Sequence, residues 1–549
     1  MPARRTSARC ALAAALAALW LLGGPRAALA STYAVYIPLD SSIYAELDTL
    51  NGLGFLDSYL PEIKPITRVE AARLALEAEA NLDTGGPNHL ADSIVKVLRA
   101  QLKEEINWLE EDHEDGLPTM VHPVERVEGQ YIYSGGVRRK LDTGNSGIDF
   151  TEGTPLLPNN DNLSTGAGSN ETLRWSGWMG LGGFIAGYGE GAISGPLTHG
   201  PRGLNRAQLL TGEAVVGLGN VAISFGQEEM AWGTGQFGSL SQSNNGLPFP
   251  ALRIQNIHPS HLPGILRYLG LFRWQAFFGE LDGGRQFAHP WIDGQILSFK
   301  PLPNIEYGFT HTIMFGGRGN DHYGFGGFLG RATGFATGSP AGANTNSRGG
   351  LYVKYRMPGL RNTVLYQEIL GEDNLSGEIS GIGRFMPFLA VSYQGGVYIP
   401  ELTSDGRTTA QIEYAILDPN YSTHSDSLYW TYQNSLMGYE LGPNGSKVDI
   451  DFGRWSKDFA KVDLDLFYTE RAPMLKGANL SKEHSGGLAI DYWQLPVAMS
   501  GLQDSLGEVR TRIALEYVNN INYSSRNSIR SLVQISVGLN PSWRSLVWR

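Results

Sequence analysis

The 549-residue chain has a formal net charge of −11, and 18% of its residues are charged. This acidic balance argues against nucleic-acid binding, which normally uses a basic protein face. Because the composition includes one cysteine, neither a disulfide framework nor a thiolate metal site can form within the chain. The 70 glycines and the 10% aromatic content are typical of β-rich membrane proteins with many turns.

The N-terminus has the features of a secretory signal peptide. Arg4 and Arg5 precede an apolar run over residues 11–22, and small residues at 28–30 form a plausible cleavage site. The run is too short to cross a bilayer core, which needs about 20 residues. We therefore predict that residues 1–30, which include Cys10, are removed on export.

Residues 31–128 are predicted to be helical. Thr67 and Glu70 form a capping box ahead of the helix-forming run RVEAARLALEAEA. Asp92 is predicted to cap a longer helix whose leucines and isoleucine recur at spacings of three and four residues. A further short helix is predicted over residues 43–50. This region forms either a small periplasmic subdomain or a plug at the mouth of a barrel.

Residues 129–549 alternate with a period of two, which predicts β-strands. The clearest example is AKVDLDLFYTE, in which Leu464 and Leu466 alternate with Asp463 and Asp465. The same pattern fits a soluble β-sandwich with an apolar core. The signal peptide and the aromatic residues at strand ends, such as Tyr468 and Tyr517, favour an outer-membrane barrel whose apolar side chains face lipid.

The predicted fold is therefore mainly β: a large closed antiparallel outer-membrane β-barrel of about 18 strands with a small N-terminal helical region. The predicted domains are the signal peptide (1–30), the helical region (31–128) and the barrel (129–549). Lipid is the expected environment of the barrel. The sequence indicates no cofactor, no metal ligand set and no oligomeric state.

Several segments carry a family resemblance over nearly the whole mature chain. They include YIPLDSSIYAELDTLNGLGFLDS, SFGQEEMAWGTGQFGSLSQSNNGLPFPALRI and GGVYIPELTSDGRTTAQIEYA. These segments resemble the Wzi capsule-assembly family. The resemblance implies one large outer-membrane barrel whose periplasmic end is closed by N-terminal helices. It also implies a lectin-like protein that helps capsular or extracellular polysaccharide associate with the cell surface.

Two segments combine aromatic rings with amides, the side chains that carbohydrate sites use for stacking and for hydroxyl groups. These candidate polysaccharide-binding residues are Trp232, Gln236, Asn244, Asn245, Tyr429, Trp430, Tyr432 and Gln433. Aromatic girdles with ordinary polar loops would produce the same composition.

Two other functions remain open. A diffusion channel would share the signal peptide and the alternating strands. A hydrolase at the barrel rim would need a serine, a histidine and a carboxylate together, and His424, Ser425 and Asp426 supply those residue types. Neighbours along a strand point to opposite faces, which argues against a working dyad there. No catalytic residue is predicted.

Overall fold

The computed structural model describes residues 34–85, 88–110, 119–141, 150–160, 163, 165–195, 206–320, 345–372, 391–419, 421, 428–433, 435–457, 459–473, 481–495, 506–539 and 546–548. The predicted signal peptide lies outside this part of the chain. All structural statements below concern the described residues.

The N-terminal region contains helices, as predicted. Their bounds are α1 Ser42–Leu53, α2 Arg68–Gly85, α3 His89–Gln101 and α4 Lys103–Glu110. The hydroxyl of Thr67 accepts a hydrogen bond from the N–H of Glu70 (3.1 Å), which confirms the predicted start of α2. Helix α1 ends at Gly54, whose φ of 91° is a left-handed conformation that glycine adopts without strain.

The predicted cap and length of the next helix were wrong. Asn88, and not Asp92, caps α3, because its side chain accepts hydrogen bonds from the N–H groups of Leu90 and Ala91 (both 3.1 Å). The helix also ends before Leu102, which has a non-helical φ of −116°, and α4 begins directly after it. The apolar period continues across this break, so the sequence pattern does not reveal it.

The helices pack around one apolar core that also includes barrel residues. Leu47, Leu74 and Leu98 are fully buried in this core, together with Trp455 and Leu495 from the barrel. Burying each such leucine stabilises the fold by roughly 1.5–3 kcal/mol. The helical region is therefore packed against one end of the barrel.

The remaining described chain is dominated by long antiparallel strands. In chain order they are β1 Thr119–Gly135, β2 Gly168–Leu181, β3 Ile185–Gly195, β4 Arg206–Leu218, β5 Val221–Gln227, β6 Pro250–Asn256, β7 Leu271–Glu280, β8 Trp291–Leu302, β9 Ile305–Phe315, β10 Thr345–Met357, β11 Thr363–Glu372, β12 Val391–Ile399, β13 Thr408–Ile416, β14 Gly445–Trp455, β15 Ala460–Arg471, β16 Glu483–Gln494, β17 Leu506–Asn519 and β18 Ser528–Leu539.

These strands form a closed barrel in which each strand pairs with its neighbours in sequence. The short segments Ser260–His261 and Leu546–Trp548 continue β6 and β18, because they pair with the same neighbouring strands. Strand β1 pairs with both β2 and β18 and so closes the sheet. The described barrel thus has eighteen strands, as predicted. The predicted domain boundary at residue 129 falls inside β1, which begins at Thr119.

The outer surface of the barrel is apolar. Ile513, Leu515 and Tyr517 point outward and are 48%, 49% and 52% exposed. Arg512, which directly precedes Ile513 in the chain, points into the lumen and forms an ion pair with Asp491. Since an apolar wall of this kind is stable only against lipid, the barrel is a transmembrane one and the predicted orientation is confirmed. Separately, no helix among the described residues is long and apolar enough to cross a membrane.

The two ends of the barrel differ in their connections. Strands β4 and β5, and strands β8 and β9, are joined by two-residue turns at one end. Long connections lie at the other end, such as residues 228–249 and the described part of the connection between β13 and β14. Outer-membrane barrels have short periplasmic turns and long extracellular loops. The helices lie at the short-turn end, where the Asn362 amide donates to the carbonyl of Leu53 (3.2 Å).

Candidate functional site

The connection 228–249 folds into the lumen from the extracellular end. The Glu413 carboxylate on β13 accepts hydrogen bonds from the backbone N–H groups of Gln236 (2.8 Å) and Phe237 (3.2 Å). The Glu368 carboxylate on β11 accepts another from Thr234 (3.0 Å). Residues 234–237 pair with no strand among the described residues. Lumen-facing carboxylates instead hold this part of the loop by its backbone N–H groups. We call residues 228–249 the inner loop.

A second segment, residues 428–444, packs on the inner loop. The Ser243 hydroxyl donates to the carbonyl of Gly438 (2.6 Å). The Arg348 guanidinium on β10 lies 4.0 Å from the centre of the Trp430 ring and donates to the carbonyl of Met437 (3.1 Å). The structure thus brings together the two segments that the sequence analysis selected, although they are far apart in the chain.

The aromatic members of the predicted site do not face a ligand. Trp232 and Trp430 are 0% exposed, and Tyr429 and Tyr432 are 2% and 7% exposed. The Trp232 indole N–H donates to the side-chain oxygen of Gln275 within the barrel wall. In this conformation these rings form the core between the loops and the wall, and their stacking role stays a prediction.

The amide members lie closer to solvent. Gln236 and Gln433 are exposed, and Asn244 and Asn245 are half-buried. The Asn244 amide donates to the carbonyl of Asn159 (3.0 Å). Asn245 lines a cavity near the extracellular end, whereas Gln236 lines a separate cavity deeper in the lumen. His424, Ser425 and Asp426, considered for a hydrolase, lie outside the described residues.

The cavity near the extracellular end has a volume of about 110 Å³, and we call it the outer cavity. It lies between the strand wall and the infolded segments. Its lining includes Asn160, Asn245, Glu440, Leu441, Phe467 and Arg471. The lining thus combines apolar side chains with amides and charges. The alternation of β15 predicts that Phe467 and Arg471 face the lumen. No sequence signal predicts that Glu440 and Asn245 line the same cavity.

Three residues that line the outer cavity each have a buried polar atom without a hydrogen-bond partner among the described residues. These atoms are Oε2 of Glu440, Oδ1 of Asp465 and Nε of Arg471. Burial raises the pKa of the Glu440 carboxyl, although the ammonium of Lys447, 3.3 Å from its other oxygen, acts in the opposite direction. A buried acceptor and a buried donor without partners are costly unless a ligand or water satisfies them.

The deeper cavity has a volume of about 490 Å³, and we call it the inner cavity. Residues 48–52 of the helical region border it on the periplasmic side, and residues 233–237 of the inner loop border it on the extracellular side. The barrel wall contributes charged side chains of both signs, such as Lys354, Asp463 and Arg512, together with polar and aromatic ones. Asp465 and Arg512 line both cavities, so the two adjoin one another.

The N-terminal region also enters the lumen directly. The Arg273 and Lys300 side chains of the wall donate to the carbonyls of Leu60 (3.1 Å) and Tyr59 (2.9 Å). Ile63 pairs with Trp232 of the inner loop in a short two-stranded sheet. The helical region and the inner loop therefore meet inside the barrel and fill it from opposite ends.

Comparisons with known proteins agree with this architecture. A family model described as capsule assembly protein Wzi matches residues 140–513. A solved structure of Wzi from Escherichia coli is described as a carbohydrate-binding β-barrel of the outer membrane involved in group 1 capsule assembly. It has 17% sequence identity and a TM-score of 0.63, and the match covers 92% of this chain and 99% of that chain.

Two other solved structures match with lower TM-scores. Pseudomonas aeruginosa OprD matches with 9% identity and a TM-score of 0.43, over 78% of this chain and 96% of its own. Pseudomonas aeruginosa OccK11 matches with 10% identity and a TM-score of 0.41, over 77% and 95%. A search of curated protein sequences finds no match.

Proposed function

This chain belongs to the Wzi family of capsule assembly proteins, and we propose that it binds capsular or extracellular polysaccharide at the extracellular end of its barrel. Binding there aids the attachment or assembly of the polymer at the cell surface. The protein acts as a lectin-like binder and not as an enzyme. The related Escherichia coli barrel, described as carbohydrate-binding, supports this proposal.

The observation that carries the proposal is the chemistry of the outer cavity. Sugar hydroxyls both donate and accept hydrogen bonds, so they suit a lining that carries the Glu440 carboxylate and the Arg471 guanidinium. The Asn245 amide offers a donor and an acceptor on the same lining. Phe467 and Leu441 offer an apolar surface for the C–H face of a sugar ring.

The test is direct binding of the polysaccharide purified from the same cells to the full-length protein in detergent. We expect saturable binding by the wild type and roughly fivefold weaker binding by Asn245→Ala, because a lost hydrogen bond costs about 1 kcal/mol. Phe467→Leu should also bind more weakly, since it removes the ring but keeps an apolar side chain.

Asn107→Ala is the matched control. Asn107 is exposed on α4 at the periplasmic end, so this variant should bind like the wild type. Heat-modifiable gel mobility checks that every variant is folded. Absence of binding by the wild type would reject the proposed function. Wild-type affinity in both Asn245→Ala and Phe467→Leu would reject only the outer cavity as the site.

A cellular test addresses attachment. Cells that lack the protein should synthesise and export the same total amount of polysaccharide but release more of it into the medium. A surface binder changes where the polymer is retained and leaves its synthesis unchanged. An unchanged ratio of cell-bound to released polysaccharide would contradict the attachment role.

A further inference from the structure

The connection between β6 and β7 carries exposed apolar side chains at the periplasmic end of the barrel. The inner loop joins β5 to β6 at the extracellular end, so the connection after β6 lies at the opposite end. Its residues Gly264–Leu269 form a short 3-10 helix, which we call the rim segment. The side chains of Ile265, Leu266 and Tyr268 are 81%, 48% and 75% exposed. Neighbouring apolar residues with this exposure mark an interaction surface.

The rim segment has a fixed conformation. The His261 imidazole donates to the carbonyl of Gly270 (3.2 Å), and the N–H of Gly270 donates to the carbonyl of Arg267 (3.1 Å). Gly270 has a φ of 85° and lies against the backbone of Lys300, where a Cβ atom would collide with the carbonyl oxygen. The exposed apolar side chains therefore stand on a backbone that is held against β8.

The outer surface beside the rim segment is aromatic. Arg273 on β7 and Lys300 on β8 point into the lumen, where they donate to carbonyls of the helical region. Side chains alternate along a strand, so Phe272 and Phe299 point outward. The ring centre of Phe299 lies 5.1 Å from that of Phe272 and 5.3 Å from that of Tyr307 on β9. Such aromatic rows occur at the membrane interfaces of outer-membrane barrels. The rim segment leads directly into this row at Phe272.

The barrel wall is also shortest beside the rim segment. Strands β5 and β6 have seven residues each, the fewest among the described barrel strands. A membrane-spanning β-strand needs about 9–11 residues. Ser260–His261 adds a short paired piece after β6, and the rim segment follows it closely in the chain. An apolar segment at this position supplies lipid-facing surface that the short strands lack.

We propose that the rim segment inserts into the periplasmic leaflet of the outer membrane and extends the lipid-facing surface of the barrel there. Ile265, Leu266 and Tyr268 reach the boundary between headgroups and acyl chains, the depth at which amphipathic segments bind. Arg267 is exposed, and its guanidinium lies 5.3 Å from the ring centre of Tyr268. A cation beside an apolar surface suits the phosphate of a phospholipid. Lipid is the favoured partner because the rim segment is continuous with the lipid-facing wall.

The experiment measures lipid contact with a fluorescent label at position 265. Cys10, the one cysteine of the chain, is replaced by serine, and Ile265→Cys carries the label in the full-length protein. The protein is refolded in phospholipid vesicles at a high ratio of lipid to protein. Brominated phospholipid quenches a label that contacts acyl chains, and iodide on both sides of the bilayer quenches a label in water.

We expect brominated lipid to quench the label at position 265 about as strongly as one in the lipid-facing Leu515→Cys. Iodide should quench it at least about threefold less than a label in Asn107→Cys, which is exposed on α4. Iodide quenching equal to that at position 107 would overturn the proposal. A label shielded from both quenchers would also overturn it, since a second copy of the chain would then cover the segment.

A further variant tests whether the apolar side chains cause the insertion. Leu266→Ser combined with Tyr268→Ser should raise iodide quenching at position 265 by about two- to threefold, because the segment loses its apolar contact with lipid. Lys103→Ser, on the exposed surface of α4, is the matched control and should change nothing. Heat-modifiable gel mobility checks that each barrel is folded. Lipid quenching that persists unchanged in the serine variant would reject the proposal. The measurement uses no polysaccharide, so its outcome is independent of the proposed function.

Discussion

Replacing Trp430 with alanine tests whether this residue is part of the protein core. Its ring is 0% exposed, and the guanidinium of Arg348 lies 4.0 Å from the ring centre. Removing a fully buried tryptophan costs about 3–5 kcal/mol. The lost contact with a desolvated guanidinium adds about 2 kcal/mol. We therefore expect Trp430→Ala to lower the free energy of unfolding by at least about 3 kcal/mol.

The assay is urea unfolding of the protein refolded in phospholipid vesicles, followed by heat-modifiable gel mobility. Limited proteolysis shows in parallel whether residues 428–444 leave the lumen. Trp175→Ala is the matched control, since Trp175 faces outward and is 43% exposed, and it should lose much less stability. A Trp430→Ala variant that is as stable as the wild type but binds polysaccharide weakly would refute the packing argument and restore a stacking role.

Three further predictions follow from the fold. Leu515→Arg should impair assembly far more than Arg512→Leu, because a charge at the lipid midplane costs about 2–4 kcal/mol. Equal amounts of both folded variants in outer-membrane fractions would contradict the lipid-facing assignment. Deleting residues 34–110 should raise conductance in planar bilayers, and an intact protein that already conducts like a wide porin would favour a diffusion channel. Burial, followed by the nearby charge of Glu508, raises the pKa of Glu46 to about 8. The protonated Glu46 carboxyl therefore contributes stability that is fully present below pH 4.5 and is lost as the pH rises through 8. Glu46→Gln should remove that loss, and an unchanged pH profile of unfolding would disprove it.

The barrel could be predicted because its sequence signal is local. Each lipid-facing residue sits between two lumen-facing ones, so a single strand such as β15 shows its orientation without any neighbour. Leu464 and Leu466 face outward, and Asp463 and Asp465 face inward, as the alternation predicts. The break between α3 and α4 is less visible, because the apolar period runs through Leu102 without interruption.

The site could be predicted only in part, because the sequence does not say on which side of a loop its aromatic residues lie. Trp232 and Trp430 stand in loops rich in amides, a composition that suits a sugar site. In the structure the rings face the wall, and the amides Gln236, Asn245 and Gln433 remain nearer the solvent. Glu440 lines the same cavity as Arg471 because its segment folds back into the lumen, and no spacing in the sequence encodes that arrangement.

A wide barrel filled from both ends is suited to holding a ligand in place. Barrels of 16–18 strands leave an aqueous channel when nothing fills them. In this protein the Glu368 and Glu413 carboxylates of the wall hold the main chain of the inner loop, and Arg348 holds the neighbouring segment through Trp430. The inner loop supplies Asn245 and the neighbouring segment supplies Glu440, so both reach the outer cavity on anchored backbones. Under the proposed function, a site built in this way would be ordered before the polymer arrives, and binding would then lose little additional conformational entropy.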